Sequence, residues 1–488
     1  MNPKGLKKDE YDVVIIGAGI GGLVCGCYLA KAGMKVLIVE QHSSPGGYCT
    51  SFKRKGFIFD SAVHYLGSLR EKGQLRKIYN ELGLNKKVEI LRNDPSDMFI
   101  FTGNKIRIRN DPEATISEFQ ENFKKEALNI KKFFDFIYKS DFTELFIKLK
   151  NKVFKDILDD YFKDFKLKSI LGLLLGNIGL PPSRASALSS AILYREFILD
   201  GGYYPKGGIQ AFPNALVEQF KEFGGKIILG KKVETIIVKN QTVKGVGVNK
   251  DDFIQSRVVV SNGDATQTFL KLIGKKHLPL KFRNKVESLE ISPSASIVYL
   301  GLNKNYSGVL KDRCSWWLYT TDSFDLEKMY SDLNRKDKPY SNDIVFCTFP
   351  CSRDQSLSPP NSECILLIIL SKGMNKEFWQ NNKYSLAESL IKKVENFIPN
   401  LSKSIVIKEV ATPLTLNRYT LNKDGASYGW SSIPSQINSN IMPKETFIKN
   451  LYLAGHWVTQ GMGQGGVSTV AYCGKNVARS ITKNMKTN

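Results

Sequence analysis

The residues best placed to do chemistry are glycines. Gly17-Ala18-Gly19-Ile20-Gly21-Gly22 follows an apolar stretch, Tyr11 to Ile16, and opens an apolar helical stretch from Leu23 to Ala32. Gly33 stops that helix, and Lys35 to Val39 reads as a second strand closing on Glu40, with Gln41 beside it. In this arrangement the first glycine permits the tight turn. The second lets a pyrophosphate approach the backbone, and the third lets helix pack on strand. The helix N-terminus then presents unpaired N–H groups and the positive end of its dipole to the phosphates. An acid at Glu40 suits the hydroxyls of an unphosphorylated ribose, so the unit predicts an FAD or NAD site and not an NADP site.

A second stretch with the same logic lies near the C-terminus. Leu451 to Ala454 reads as a strand ending at Gly455-His456, and a glycine-rich turn, Gly461 to Gly466, opens a helix at Val467. It predicts a second helix N-terminus aimed at a polar ligand group. The chain has four His. His64, in Ala62-Val63-His64-Tyr65-Leu66-Gly67, is a candidate acid/base or polar anchor, with a structural role as its alternative. His42 reads as solvent- or adenosine-side and His277 as surface. Trp316, Trp317 and Trp430 could line an apolar tunnel or simply pack in the core.

What selects FAD is a resemblance. Ser44-Pro45-Gly46-Gly47-Tyr48-Cys49-Thr50 followed by Gly56 to Asp60 resembles the carotenoid desaturase, carotenoid isomerase and retinol saturase family, within the amine-oxidase-like flavoproteins. Gly201 to Gly208, Lys231-Lys232-Val233-Glu234, Val258 to Asp264, Thr412 to Thr420 and the C-terminal signature extend it along nearly the whole chain. The resemblance implies non-covalent FAD, with Gly47 and Tyr48 along the cofactor and the Val233 backbone at the adenine. Gly455, His456, Gly466 and Val467 would then meet the ribityl chain and pyrimidine edge. Many relatives carry Arg where this chain has Tyr48, and an acid where it has His456. Arg418 and Tyr419 are further candidates for the flavin or the tunnel, so the catalytic set is His64, Arg418 and Tyr419. The implied chemistry is hydride exchange at flavin N5 with an apolar polyene, by desaturation or cis–trans isomerisation. Two alternatives keep the cofactor: an amine- or porphyrinogen-type flavin oxidase, and a non-catalytic flavin-binding membrane protein. No second dinucleotide motif is evident, so tight NAD(P) binding is not expected and transient NAD(P)H use stays open. No metal cluster is expected.

The fold class this implies is α/β: a Rossmann-type FAD domain drawn from 1–100, 201–275 and 410–488. An α+β substrate- and membrane-facing domain is inserted at 101–200 and 276–409. Met98 to Thr102 and Lys105 to Arg109 flank Gly103-Asn104 as a hairpin. Ser294 to Leu302, Ile344 to Thr348 and Cys364 to Leu370 read as strands, and Ile116 to Lys150 and Ser385 to Phe397 as helical.

The chain is basic, with 70 Lys+Arg against 47 Asp+Glu and a formal net charge of +23. Such charge attracts polyanions, but the lysines are scattered and no nucleic-acid module is present, so no nucleic-acid partner is expected. Phe133, Phe134, Phe136, Tyr138, Phe142, Phe146 and Ile147 alternate with lysines, a pattern that fits either a headgroup-layer helix or a domain core. Met1 to Asp9 lacks a signal-peptide core, and no apolar run reaches spanning length. The expectation is a cytoplasmic protein, or one that sits on a membrane surface without crossing it, with all eight Cys reduced.

Overall fold

In a computed structural model the structure describes residues 10–486, apart from 102, 250–251, 313, 374, 438–441 and 459–465. The expected glycine turn at Gly461 to Gly465 lies outside the described residues.

Among the described residues, two seven-stranded sheets organise the chain. The strands are β1 (Tyr11–Ile16), β2 (Val36–Val39), β3 (Asp97–Phe101), β4 (Asn104–Ile108), β5 (Lys226–Ile228), β6 (Val233–Lys239) and β7 (Thr242–Val248). They continue as β8 (Asp252–Ser261), β9 (Ser294–Leu302), β10 (Ser315–Tyr319), β11 (Ile344–Thr348), β12 (Glu363–Ser371), β13 (Ile405–Ala411) and β14 (Leu451–Leu453). The first sheet runs β6-β7-β8-β1-β2-β5, with β14 paired to β8. Its centre is parallel, β14–β8–β1–β2–β5, and β2 is buried along its whole length. That is why these strands read as continuous apolar runs rather than alternating ones. The second sheet runs β13-β9-β12-β11-β10-β3-β4, antiparallel except where β10 meets β3.

Helix α1 (Ile20–Lys31) crosses from β1 to β2 and packs against α5 (Val467–Lys486). The helical stretch at Ile116 to Lys150 is three short helices, Pro112–Asn122, Ala127–Lys139 and Phe142–Leu149. The last begins where the Asp141 side chain accepts from the Glu144 N–H, an N-cap that ends one helix axis and starts another. Beyond them lie α2 (Phe165–Leu173), α3 (Ala187–Leu193, continued to Ile198 as a wider turn) and α4 (Leu326–Asp332). Phe133, Phe134 and Ile137 are core, whereas Phe142, Phe146 and Ile147 are exposed. Among the described residues no helix is long and apolar enough to cross a membrane.

One expectation is corrected here. Cys351 and Cys364 form a disulfide, with Cα atoms 5.9 Å apart. Cys351 stands on a turn just after β11, and Cys364 near the start of the antiparallel β12, so the returning chain brings them together. The six other cysteines are buried thiols.

Candidate active site

A single cavity of about 990 Å3 reaches from the glycine turn to one face of the second sheet. At the first end the β1–α1 turn forms a cradle. A Cβ at Gly22 would lie 2.4 Å from the Gly17 carbonyl oxygen, so only glycine lets α1 start this close to β1. Glu40 ties the turn down from the end of β2: Oε2 accepts from the Ala18 N–H at 2.7 Å and Oε1 from the His42 N–H at 2.9 Å. Each oxygen keeps a second acceptor site.

Gly17, Gly19, Ile20, Glu40, Gln41, Gly47, Tyr48, Val233, Gly455, His456, Gly466 and Val467 all line this cavity, whereas Gly22 stands behind it against Gly17. Asn262, absent from the sequence-derived set, sits among Gly19, Gly21 and Gly455. It follows β8, the strand beside β1, and so falls at the carboxyl end of a parallel strand where α/β sheets bind ligands. That topological position is the signal that could have found it. Its Oδ1 and the His456 Nε2 are closed to solvent without a hydrogen-bond partner. Burial lowers His456 to about 4, which leaves the ring neutral. Unpaired buried polar atoms beside a glycine cradle fit a bound polar ligand, since such atoms are otherwise costly.

The other half is built from rows of the second sheet. The strand register sets Tyr299, Leu366 and Thr348 in one row, with Ser315 and Asp97 at its far side. The next row is Ala411, Ile297, Ile368, Phe346, Trp317 and Phe99. The third includes Ala295 beside Leu370 and Ile344 beside Tyr319. The first row is polar at one side, and the second is apolar throughout.

Buried Arg353 lies over the polar row. Its Nη2 donates to Ser315 Oγ at 2.6 Å, and its Nη1 to Thr348 Oγ1 at 3.2 Å and to the His64 carbonyl at 2.6 Å. Asp97 accepts from Tyr65 OH at 2.8 Å, Trp317 Nε1 at 3.0 Å and Ser96 Oγ at 3.0 Å. Asp60 accepts from Tyr204 OH, Ser51 Oγ and the Ile209 N–H. Burial pushes both carboxyls up, while their hydrogen bonds and the Arg353 charge pull them down. The His64 ring therefore rests over the apolar row, 4.5 Å from Phe346 and 4.6 Å from Tyr65. Its Nε2 is closed to solvent and unpartnered. Burial, then the Arg353 charge, lowers His64 to about 3. Sequence reasoning missed Arg353, Asp97 and Phe346, because nothing local marks them.

The three candidate catalytic residues are not brought together. Arg418 is exposed, its guanidinium 5.6 Å from the Tyr419 ring, and it does not line the cavity. Tyr419 does line it, but stacks on His42 at 5.1 Å, and its carbonyl accepts from Gln41 Nε2 and His42 Nε2. It belongs with the Glu40 end of the cavity rather than with His64. The reason is helical: Pro413–Thr420 turns these last residues outward over Gln41 and His42. Trp317 lines the cavity, Trp316 packs on the opposite face, and Trp430 packs in the core around the first sheet.

Residues 15–82 match the family model of an NAD(P)-binding Rossmann-like domain. Over 98% of its length the chain is 27% identical to prolycopene isomerase of Daucus carota, covering 80% of that protein. Over 96% it is 23% identical to all-trans-retinol 13,14-reductase of Danio rerio, covering 86% of that protein. The structure of putrescine oxidase bound to putrescine superimposes with a TM-score of 0.63 at 14% identity, covering 97% of this chain and 99% of that one; at that identity the likeness establishes the fold. With a nucleotide-cofactor cradle at one end of the cavity, the chain is an oxidoreductase on the amine-oxidase fold, similar over nearly its whole length to carotenoid isomerases and retinol reductases.

Proposed function

We propose that the chain binds FAD without a covalent link and exchanges hydride with an apolar polyene, a carotenoid or retinoid, in a desaturation or a cis–trans isomerisation. The observation that carries this reading is the continuity of one cavity from the glycine cradle to the apolar row under His64. In it the backbone of Gly17 to Ile20 holds the pyrophosphate, Glu40 the ribose and Val233 the adenine. Gly455 and the start of α5 at Val467 hold the ribityl and pyrimidine side. When bound, the flavin supplies a hydride acceptor or donor at N5.

The chain's own residues do the rest. Ile297, Ile368, Phe346 and Trp317 exclude water and hold an extended chain. His64 offers a neutral acceptor at a fixed place. Near 3, it takes up no proton at neutral pH, and an effective general base titrates close to working pH. His64 is therefore an anchor rather than a base. A polyene needs none of great strength, because conjugation spreads the positive charge left by hydride loss.

Delivery of such a substrate favours peripheral contact with a membrane. Phe142, Phe146, Ile147 and Phe165 are exposed among Lys148, Lys150 and Lys166. Helix α2 starts at exposed Phe165 and ends at cavity-lining Leu173, a route from a lipid surface to the site.

Mass spectrometry of polyene products tests the reading. The protein with FAD in liposomes receives phytoene, a poly-cis lycopene and retinol. A mass change of two hydrogens per step, or an unchanged mass with shifted retention under reduced flavin, supports it. Turnover of soluble amines with hydrogen peroxide release, and of no polyene, overturns it in favour of an amine-oxidase activity.

A further inference from the structure

The substrate half of the cavity is apolar beside His64 and polar where it ends. Beyond the third row of the sheet, Tyr340 bridges Ser371. That is three strand residues, about 10 Å, past Ile368 in the row beneath His64. The next residue, Ser341, lines the cavity, is 9% exposed, and has an Oγ without a hydrogen-bond partner. Ser189 on α3 also lines the cavity, is 3% exposed, and its Oγ is likewise unpartnered. It precedes Phe197, whose ring is 6.3 Å from that of His64, by eight helical residues, or about 12 Å. Two walls of the one cavity, the sheet side and helix α3, thus each carry an unsatisfied hydroxyl farther along their element than the residues that touch His64. Apolar Leu326, Met329 and Leu333 line the same cavity.

A hydrocarbon filling this half would strip water from both hydroxyls and give nothing back, the costly case for a buried polar group. A substrate with one oxygen at its end would satisfy them, since a serine hydroxyl donates to a carbonyl and both donates to and accepts from an alcohol. We propose that Ser189 and Ser341 form a subsite for the polar end group of an otherwise apolar chain, so that the substrate class is an oxygenated polyene rather than a hydrocarbon. This rests on the polyene reading of the same cavity.

Binding separates the two claims. The FAD-loaded protein is titrated with all-trans-retinol and with the same chain carrying hydrogen in place of the hydroxyl, and then with a carotene and its ring-hydroxylated counterpart. Tryptophan fluorescence and the polyene absorbance band report occupancy. The oxygenated member of a pair should bind about tenfold more tightly, the worth of roughly one hydrogen bond. Ser341→Ala and Ser189→Ala should each weaken the oxygenated ligand and leave the hydrocarbon unchanged, and the double variant should erase the preference. Flavin content and melting temperature verify that the variants fold. Equal affinity within each pair for the wild type, or variants that weaken both members alike, overturns the subsite while the polyene reading stands. Failure of every polyene to bind overturns both.

Discussion

The cofactor half and the substrate half of the cavity are built on different principles. The first is made of backbone: glycines at the turn after β1, the carboxylate of Glu40 on two N–H groups, and the start of α5. Each part comes from one short stretch of chain. The second is made of side chains that share a row only because β13, β9, β12, β11 and β10 pair in one register. Its polar edge is held by a buried cation, Arg353, which reaches both the sheet and the His64 loop. A backbone site tolerates many sequences but no added Cβ. A register site tolerates apolar exchange but not the loss of the charge that fixes its edge.

Breaking each half in turn should expose that difference. The largest effect is expected from Arg353→Met, which strands the His64 carbonyl, Ser315 and Thr348 and removes the positive charge near buried Asp60 and Asp97. Removing one member of such a buried charged cluster costs about 3–5 kcal/mol, read by urea unfolding. Arg353→Lys keeps the charge without the fork and should fall between. A loss near zero for Arg353→Met would mean the edge is held otherwise. Next is Gly22→Ala, whose Cβ meets the Gly17 carbonyl. Overpacking of this kind costs about 1–3 kcal/mol, and here it should appear as flavin lost on purification with the second sheet intact. Trp317→Phe removes a 3.0 Å bond to Asp97. It leaves a buried acceptor short by one partner, worth about 1–3 kcal/mol at most, and should weaken polyene binding without loss of flavin.

A further effect is one of pH. His64 and His456 are lowered from 6.5 to about 3 and about 4. As pH falls below 6.5 the unfolded chain takes up protons that the native state refuses. Their contribution is present above that pH and is lost on the way down to the folded values. Glu363 runs the other way: burial raises it to about 7, so its contribution is full below 4.5 and lost as pH rises through 7. Melting temperatures between pH 4 and 7 should fall less steeply with acid in His64→Gln than in the wild type. Identical slopes would mean that His64 titrates in the folded state as it does in the unfolded chain.

The cofactor half was legible in the sequence for the reason just given. A turn that needs glycine and a strand that ends in an acid are local patterns, and even Asn262 stood in the quoted stretch after β8. Arg353, Asp97 and Phe346 were not legible, because their roles arise from strand pairing that no local pattern states. Strand β3 likewise crosses the boundary drawn at residue 100, since its Gly103 hairpin with β4 adds it to the second sheet. The aromatic stretch at Phe133 to Ile147 divides between core and surface, because the Asp141 cap breaks one apparent helix and rotates its second half outward. Arg418 and Tyr419 sit in a well-matched segment, yet where a helical turn points them is decided by the helix's end.

The most direct test of the account is to titrate the FAD-loaded protein anaerobically with a polyene and follow flavin fluorescence, in the wild type and in Ile344→Trp, which fills the apolar arm without touching the glycine cradle. The account predicts saturable quenching at one polyene per flavin, lost in Ile344→Trp while flavin stays bound. Quenching that never saturates, or that survives the filled arm unchanged, would contradict a single cavity shared by cofactor and polyene.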